Sequence, residues 1–159
     1  QQGPFYADVA QERALQALAT GDLNEAQRSA TAAHRAEQGS LLGRRLNLLA
    51  RVALLRGERN EAKKLAEQAS AANSSIGQEL ERANSLRVLG MIATQEGDWL
   101  KAEEQLQAAL ELDRQQAASL RIAADLEALA ELADKQQQTE RQQEYLQRAR
   151  MAREQSTAQ

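Results

Sequence analysis

Small and apolar residues recur along this chain at helical spacing, separated by polar positions. The stretch 85–113 contains two such stripes, Leu86/Leu89/Gly90/Ala93 and Trp99/Ala102/Leu106/Ala109/Leu110. Both stripes follow the period of an α-helix. Gly97 and Asp98 stand between them, and they suit a left-handed helix end followed by an N-cap. The pattern predicts two antiparallel helices joined by a tight turn, an αα-hairpin.

The same arrangement recurs around three glycines that each precede an acidic residue, Gly21, Gly57 and Gly97. An alanine stands four residues before, five after and twelve after each glycine, and alanine or glycine stands seven before. A fourth copy can be placed on Asp134, with Ala130 four residues before it, although its other packing positions are less regular. Such a period is typical of arrays that stack one supersecondary unit on the next. We therefore expect an all-α fold of four hairpins in one domain, at about residues 7–37, 41–72, 78–113 and 116–153.

The hairpins differ in their apolar content. The first helix of hairpin two has the broadest apolar stripe and should be the most buried helix. In hairpin four the first helix has a stripe of Leu120, Ala123, Leu126, Ala130 and Ala133. The last helix is rich in Gln, Glu and Arg, and its apolar contacts are expected to come from Tyr145, Leu146, Ala149, Met151 and Ala152. This helix is interpreted as a polar cap of the array, the alternative being a coiled-coil or linker helix that leads to a partner.

The repeat resembles that of the tetratricopeptide-repeat (TPR) family. The matching residues are Leu89-Gly90, the Gly97-Asp98-Trp99 turn, Ala102, Ala109-Leu110 and Asp113. The family's usual proline after the second helix is replaced by Arg114 in this repeat. The repeats are spaced 36, 40 and 37 residues apart, against about 34 in the family, and the extra residues fall around 38–41, 73–77 and 114–117. The resemblance implies a right-handed superhelix of αα-hairpins, a TPR-like solenoid with a degenerate C-terminal hairpin, whose first helices line a concave groove for a partner.

Composition excludes several other classes of protein. The net charge is −3 and the pI about 5.4, so bulk electrostatics favour neither nucleic acid nor an anionic membrane surface. No apolar run is long enough to span a bilayer. Cysteine is absent, the single histidine, His34, has no neighbouring ligand, and no glycine-rich phosphate loop exists. We therefore expect no enzyme activity, no catalytic residues, no metal site and no cofactor.

The chain opens with Gln1-Gln2-Gly3-Pro4 rather than with methionine. Two interpretations stay open: an excised fragment of a longer protein, or the processed end of an exported and lipid-anchored bacterial protein. A periplasmic location is slightly favoured over a cytoplasmic one.

Arginine and asparagine residues recur on the first helices, offset from the packing stripes. Thirteen, ten and six residues before the turn lie Arg44, Asn47 and Arg51 in hairpin two, and Asn84, Arg87 and Met91 in hairpin three. Arg121 continues the first of these columns when hairpin four is placed on Asp134. Guanidinium groups bind carboxylates, and asparagine can hold a peptide backbone. These seven residues predict a groove for an extended, acidic or C-terminal segment, the alternative being solvated arginines paired with glutamates.

Two functions are consistent with this groove. The first is a protein–protein interaction module or assembly scaffold. The second is a sensory or regulatory domain of a larger protein that binds a small ligand, which would need an enclosed pocket with aromatic walls. Self-association through the alanine-rich first hairpin or the glutamine-rich last helix can accompany either function.

Overall fold

The chain folds into α-helices in a computed structural model that describes residues 6–36, 41–72 and 79–158. The described residues form eight helices: α1 (Tyr6–Thr20), α2 (Leu23–Ala36), α3 (Leu42–Leu55), α4 (Arg59–Ala72), α5 (Glu79–Glu96), α6 (Trp99–Gln115), α7 (Ser119–Lys135) and α8 (Thr139–Thr157). Within these ranges the predicted all-α class is confirmed. The chain's first five residues and the predicted links at 38–40 and 73–77 lie outside the described residues. None of the helices that the structure describes is long and apolar enough to cross a membrane.

Consecutive helices pair as α1–α2, α3–α4, α5–α6 and α7–α8. The chain divides into two compact units of two hairpins each, unit 1 within residues 1–75 and unit 2 within residues 76–159. In unit 1, α3 packs against α2 and also contacts α1, and in unit 2, α7 packs against α6 and also contacts α5. The second hairpin of each unit therefore begins with a helix that contacts both helices of the first hairpin.

One turn motif ends the first helix of each hairpin. At the end of α1, the N–H of Gly21 donates to the Leu18 carbonyl at 3.2 Å, and the N–H of Asp22 donates to the Ala17 carbonyl at 2.9 Å. Gly21 has a φ of 80°, and Gly57 and Gly97 repeat the same conformation and the same two bonds. The left-handed conformation brings two N–H groups onto carbonyls of the last helical turn. Glycine adopts this conformation without a Cβ clash. Asp98 then caps α6 as predicted, since its side chain accepts from the Lys101 N–H at 3.3 Å.

The fourth hairpin turns at Gln137, and the placement of its turn on Asp134 was wrong by three residues. Gln137 has a φ of 60°, and its N–H donates to the Asp134 carbonyl at 2.9 Å. Counted from Gln137, the positions seven before, four before and twelve after hold Ala130, Ala133 and Ala149, each 2% exposed. The spacing from Gly97 is therefore 40 residues. The prediction failed because this left-handed position carries no glycine to mark it.

The link between hairpins three and four uses the same motif. Ala117 has a φ of 50°, and its N–H donates to the Arg114 carbonyl at 3.0 Å. The N–H of Ala118 reaches the Asp113 carbonyl, also at 3.0 Å. The extra residues predicted near 114–117 therefore lengthen α6 and form a tight turn.

Alanine and glycine columns allow the helices to approach closely. Gly90 is the tightest case, because a Cβ added there would lie 2.6 Å from the Leu106 side chain. Helix α3 has ten buried residues among its 14, in line with its broad apolar stripe. In unit 2 the alanines are joined by a core of larger side chains: Leu106, Leu110, Leu126, Leu129, Leu132 and Tyr145.

Four residues assigned to packing stripes are exposed instead: Trp99, Leu120, Leu146 and Met151. Trp99 and Leu120 lie in the first turns of α6 and α7, where fewer neighbours surround a side chain. Helix α8 packs against α7 and buries one narrow stripe, Tyr145/Ala149/Ala152. Leu146 and Met151 lie outside this stripe.

Candidate functional site

Unit 2 holds a group of charged and polar side chains where α5, α6 and α7 meet. The spacing of three residues along α5 places its members on one face of that helix. We call this group the α5–α7 cluster, which consists of Glu81, Asn84 and Arg87 on α5, Asp113 on α6, and Arg121 and Asp125 on α7.

Arg87 is the centre of this cluster, and its side chain is only 12% exposed. Its Nε donates to Asp125 Oδ1 at 3.1 Å, and its Nη1 donates to Asn84 Oδ1 at 3.1 Å. Its Nη2 lies 4.0 Å from Asp113 Oδ2. One guanidinium group therefore joins three helices, and its planar set of donors is suited to this role.

Asp113 and Asp125 are fully buried. Arg87 donates to one of their four carboxyl oxygens, and the other three receive no N–H or hydroxyl donor from the described residues. The pKa of Asp125 is raised to about 9, first by burial and then by the neighbouring carboxyl group of Asp113, against the opposing effect of Arg87. At neutral pH Asp125 therefore keeps its proton, because an ionised carboxylate that is buried and short of donors is costly.

Arg121 pairs with Glu81, with Arg121 Nη2 lying 3.6 Å from Glu81 Oε1. Counted from the turn at Gln137, Arg121 stands sixteen residues before its turn, as Glu81 does before Gly97. Arg121 therefore does not continue the column of Arg44, because that assignment depended on the wrong turn position. The pair lies across two neighbouring helices, and both residues keep part of their surface exposed.

Unit 1 contains a comparable arginine, Arg45 on α3, whose side chain is 1% exposed. Its Nη2 lies 2.7 Å from Asp8 Oδ1, and its Nη1 donates to Gln11 Oε1. Both partners belong to α1, so Arg45 connects the first helices of the two hairpins as Arg87 does in unit 2. The sequence pattern predicted its neighbour Arg44 as a groove residue, and Arg44 is half-buried.

The seven predicted groove residues are divided between the units. Asn84, Arg87 and Arg121 are brought together in the α5–α7 cluster. Met91 is half-buried against the core of unit 2. In unit 1, Arg44 is half-buried, Asn47 is buried and Arg51 is exposed.

Sequence reasoning missed a recurring buried polar position. Arg45, Ser85 and Asp125 each stand twelve residues before the left-handed turn residue of their hairpin, and all three are at most 1% exposed. The sequence signal for this buried position is a polar residue at the same place in successive repeats, within an otherwise apolar stripe. It was hidden because the fourth turn was placed on Asp134.

Two cavities lie on unit 2. One, of about 300 Å³, is lined by residues 117–121 and Ser156. The other, of about 330 Å³, is lined by Glu127, Gln143, Leu146, Ala149, Arg150 and Arg153. Neither lining contains an aromatic side chain.

A comparison with known protein families finds no family that matches this chain. A comparison with curated proteins also finds no match.

Proposed function

We propose that this chain is a protein–protein interaction module or assembly scaffold of the TPR-like type, which binds an extended partner segment along its first helices. The pairing of helices into hairpins supports this proposal, as does the recurrence of one turn motif at each of the three turn glycines. In such an array the hairpins follow a right-handed superhelix, and stacked repeats offer an extended surface for a partner.

The observation that carries the proposal is the pre-arranged polar surface of α5 and α7. Asn84 is held by Arg87, and Arg121 is held beside Glu81. Side chains that are already ordered lose less conformational entropy when a partner binds. Asn84 accepts from Arg87 and donates one N–H to Glu81, and its second N–H is suited to a backbone carbonyl of an extended peptide.

A preference for an acidic segment follows from the arginines on the first helices. Arg121 keeps 33% of its side chain exposed, and Arg51 on α3 is exposed. Arginine binds carboxylates through parallel hydrogen bonds. Arg87 contributes differently: it is engaged with Asp125, and its role is to hold the surface in place.

The small-ligand alternative has less support. Sites for small molecules are usually concave and lined by apolar and aromatic side chains. The two cavities described above have no aromatic lining, and Arg121 is the one member of the α5–α7 cluster that lines either of them.

A charge-reversal experiment tests the proposed surface. The variant Arg51→Glu/Arg121→Glu changes one exposed or half-exposed arginine in each unit, while Arg87 is left intact because it holds the buried Asp125. The control variant Arg59→Glu/Lys101→Glu makes the same change of charge on exposed residues of the second helices α4 and α6. Both variants are first compared with the native chain by circular dichroism and thermal unfolding.

Affinity capture from an extract of the native host then compares the three chains. We expect proteins bound by the native chain to be retained by the control and depleted at least about tenfold with the Arg51→Glu/Arg121→Glu variant. Equal capture by all three folded chains would contradict the proposed surface.

A further inference from the structure

The face of α6 that packs against α7 has a counterpart on α8, the last helix. In hairpin three, Leu106, Leu110 and Asp113 of α6 are at most 2% exposed, where α6 packs against α7. These residues stand nine, thirteen and sixteen positions after the turn at Gly97. The same positions after Gln137 hold Leu146, Arg150 and Arg153 on α8.

The counterpart surface is open. Leu146 is 40% exposed, Arg153 keeps 49% of its side-chain surface, and Arg150 is exposed. Together with Glu127, Gln143 and Ala149 they line the cavity of about 330 Å³, which we call the α7–α8 groove. A surface that is covered by a helix in one hairpin is therefore uncovered in the next.

The two surfaces also share a charged pair with the charges exchanged. In hairpin three, Arg87 of the first helix lies 4.0 Å from Asp113 of the second. At the same positions in hairpin four, Glu127 accepts a hydrogen bond from Arg153 Nε at 2.7 Å. In hairpin three, Arg87 also forms an ion pair with Asp125, which belongs to the covering helix α7.

We propose that the α7–α8 groove docks an amphipathic helix of a partner protein, which lies across α7 and α8 as α7 lies across α5 and α6. The apolar stripe of that helix should include a small residue, since Ala123 of α7 is completely buried in the equivalent interface. The groove carries Arg150 and Arg153 against one carboxylate, Glu127, so an acidic residue on the docking helix is favoured. This site is separate from the polar surface of the proposed function, and either can hold without the other.

A second copy of this chain is a poor occupant through its first helix. In α3 the residues nine, eight and five before the turn are Leu48, Leu49 and Val52, which are buried in a core cluster with α1 and α2. In α7 the same positions hold Ala128, Leu129 and Leu132, also buried. In α1 they hold Glu12, Arg13 and Gln16, all exposed. Helix α1 therefore lacks the apolar edge with which α3 and α7 stack on the preceding hairpin.

A peptide of α7 itself is the probe, because α7 is the helix that fits the equivalent surface. A fluorescent peptide of residues 118–136 carries a lactam between Glu131 and Lys135, which are exposed and one turn apart, to keep it helical. Its binding to the full chain is followed by fluorescence polarisation. The groove variant is Leu146→Glu, and the matched control is Leu55→Glu, an exposed leucine of α3 in unit 1.

We expect saturable binding that Leu146→Glu weakens at least about tenfold and that Leu55→Glu leaves within about twofold. A peptide with Asp125→Lys should bind the native chain more weakly and regain affinity for the Arg153→Glu chain, whose groove charge is reversed. The absence of binding, or equal binding to the Leu146→Glu chain, overturns the proposal. The latter result would mean that the peptide replaces α7 within unit 2. A native dimer that Leu146→Glu dissociates in light scattering also overturns it, because the occupant would then be a second copy.

Discussion

Asp113 and Asp125 come from different helices but lie beside the same guanidinium group, that of Arg87, and neither side chain is exposed to solvent. Arg87 is the cation that lies against both, and Arg121 also acts on Asp125. Asp125 is therefore most stable with a proton on its carboxyl group. Removing that proton places a second negative charge in a site where most carboxyl oxygens have no donor. This arrangement links the stability of unit 2 to pH.

The stability of unit 2 should fall as the pH rises. The pKa of Asp125 is raised from 3.8 to about 9 by folding, so between these values the folded state binds a proton that the unfolded state has lost. The stabilisation is complete below the lower value and is lost as the pH rises toward the upper one. Urea unfolding between about pH 5.5 and 8.5, followed by the fluorescence of the chain's only tryptophan, Trp99, measures this change in unit 2.

Asp125→Asn should flatten that pH dependence, since asparagine is neutral throughout and has nearly the same size. At the alkaline end the variant should be more stable than the native chain. Asp134→Asn, at an exposed position of the same helix, is the control and should leave the slope unchanged. An unchanged slope in Asp125→Asn would show that Asp125 is not the group responsible.

Arg45→Ala should destabilise unit 1 by about 2 kcal/mol, because it removes a buried side chain and leaves Gln11 without its donor. The loss is kept modest because Asp8 is 56% exposed and can be rehydrated. Arg45→Met retains much of the packing and should cost about half as much or less. Urea unfolding followed by circular dichroism at 222 nm measures both, with Arg44→Ala as the half-buried control. Equal losses for the alanine and methionine variants would argue against this account.

Gly90→Ala should destabilise unit 2 by about 1–3 kcal/mol, although alanine is the better helix former. The added Cβ would lie 2.6 Å from both Cγ and Cδ2 of Leu106. Adding Leu106→Val should recover part of the loss, because it shortens the side chain that clashes. A double-mutant cycle measured by Trp99 fluorescence would give the coupling, and strict additivity would rule out the clash as the cause.

Gln137→Gly should stabilise unit 2 by about 0.5–1 kcal/mol, because a non-glycine residue in the left-handed conformation is strained. Gln137 has a φ of 60°, and the same reasoning applies to Ala117. The reverse change, Gly97→Ala, should destabilise by a similar amount at a φ of 77°. Chemical unfolding of Gln137→Gly, Ala117→Gly and Gly97→Ala measures these effects, and a loss of stability in Gln137→Gly would contradict the strain.

The sequence by itself determined the helical hairpins and three of their turns. Glycine at Gly21, Gly57 and Gly97 marks a left-handed helix end, and alanine columns at constant distances from it mark the packed faces. Both signals are local to one hairpin, so they can be read without knowing which helices touch.

The tertiary structure decided which polar residues are buried and which partners they meet. Arg45 rather than Arg44 enters the interior, because neighbouring residues on a helix point about 100° apart and the packing of α1 against α3 selects one of them. The left-handed turn at Gln137 carries no glycine, and Arg87 meets Asp113 and Asp125 of two other helices, although these residues look like solvated surface charges in the sequence. Such features depend on long-range contacts, which local pattern and composition do not encode.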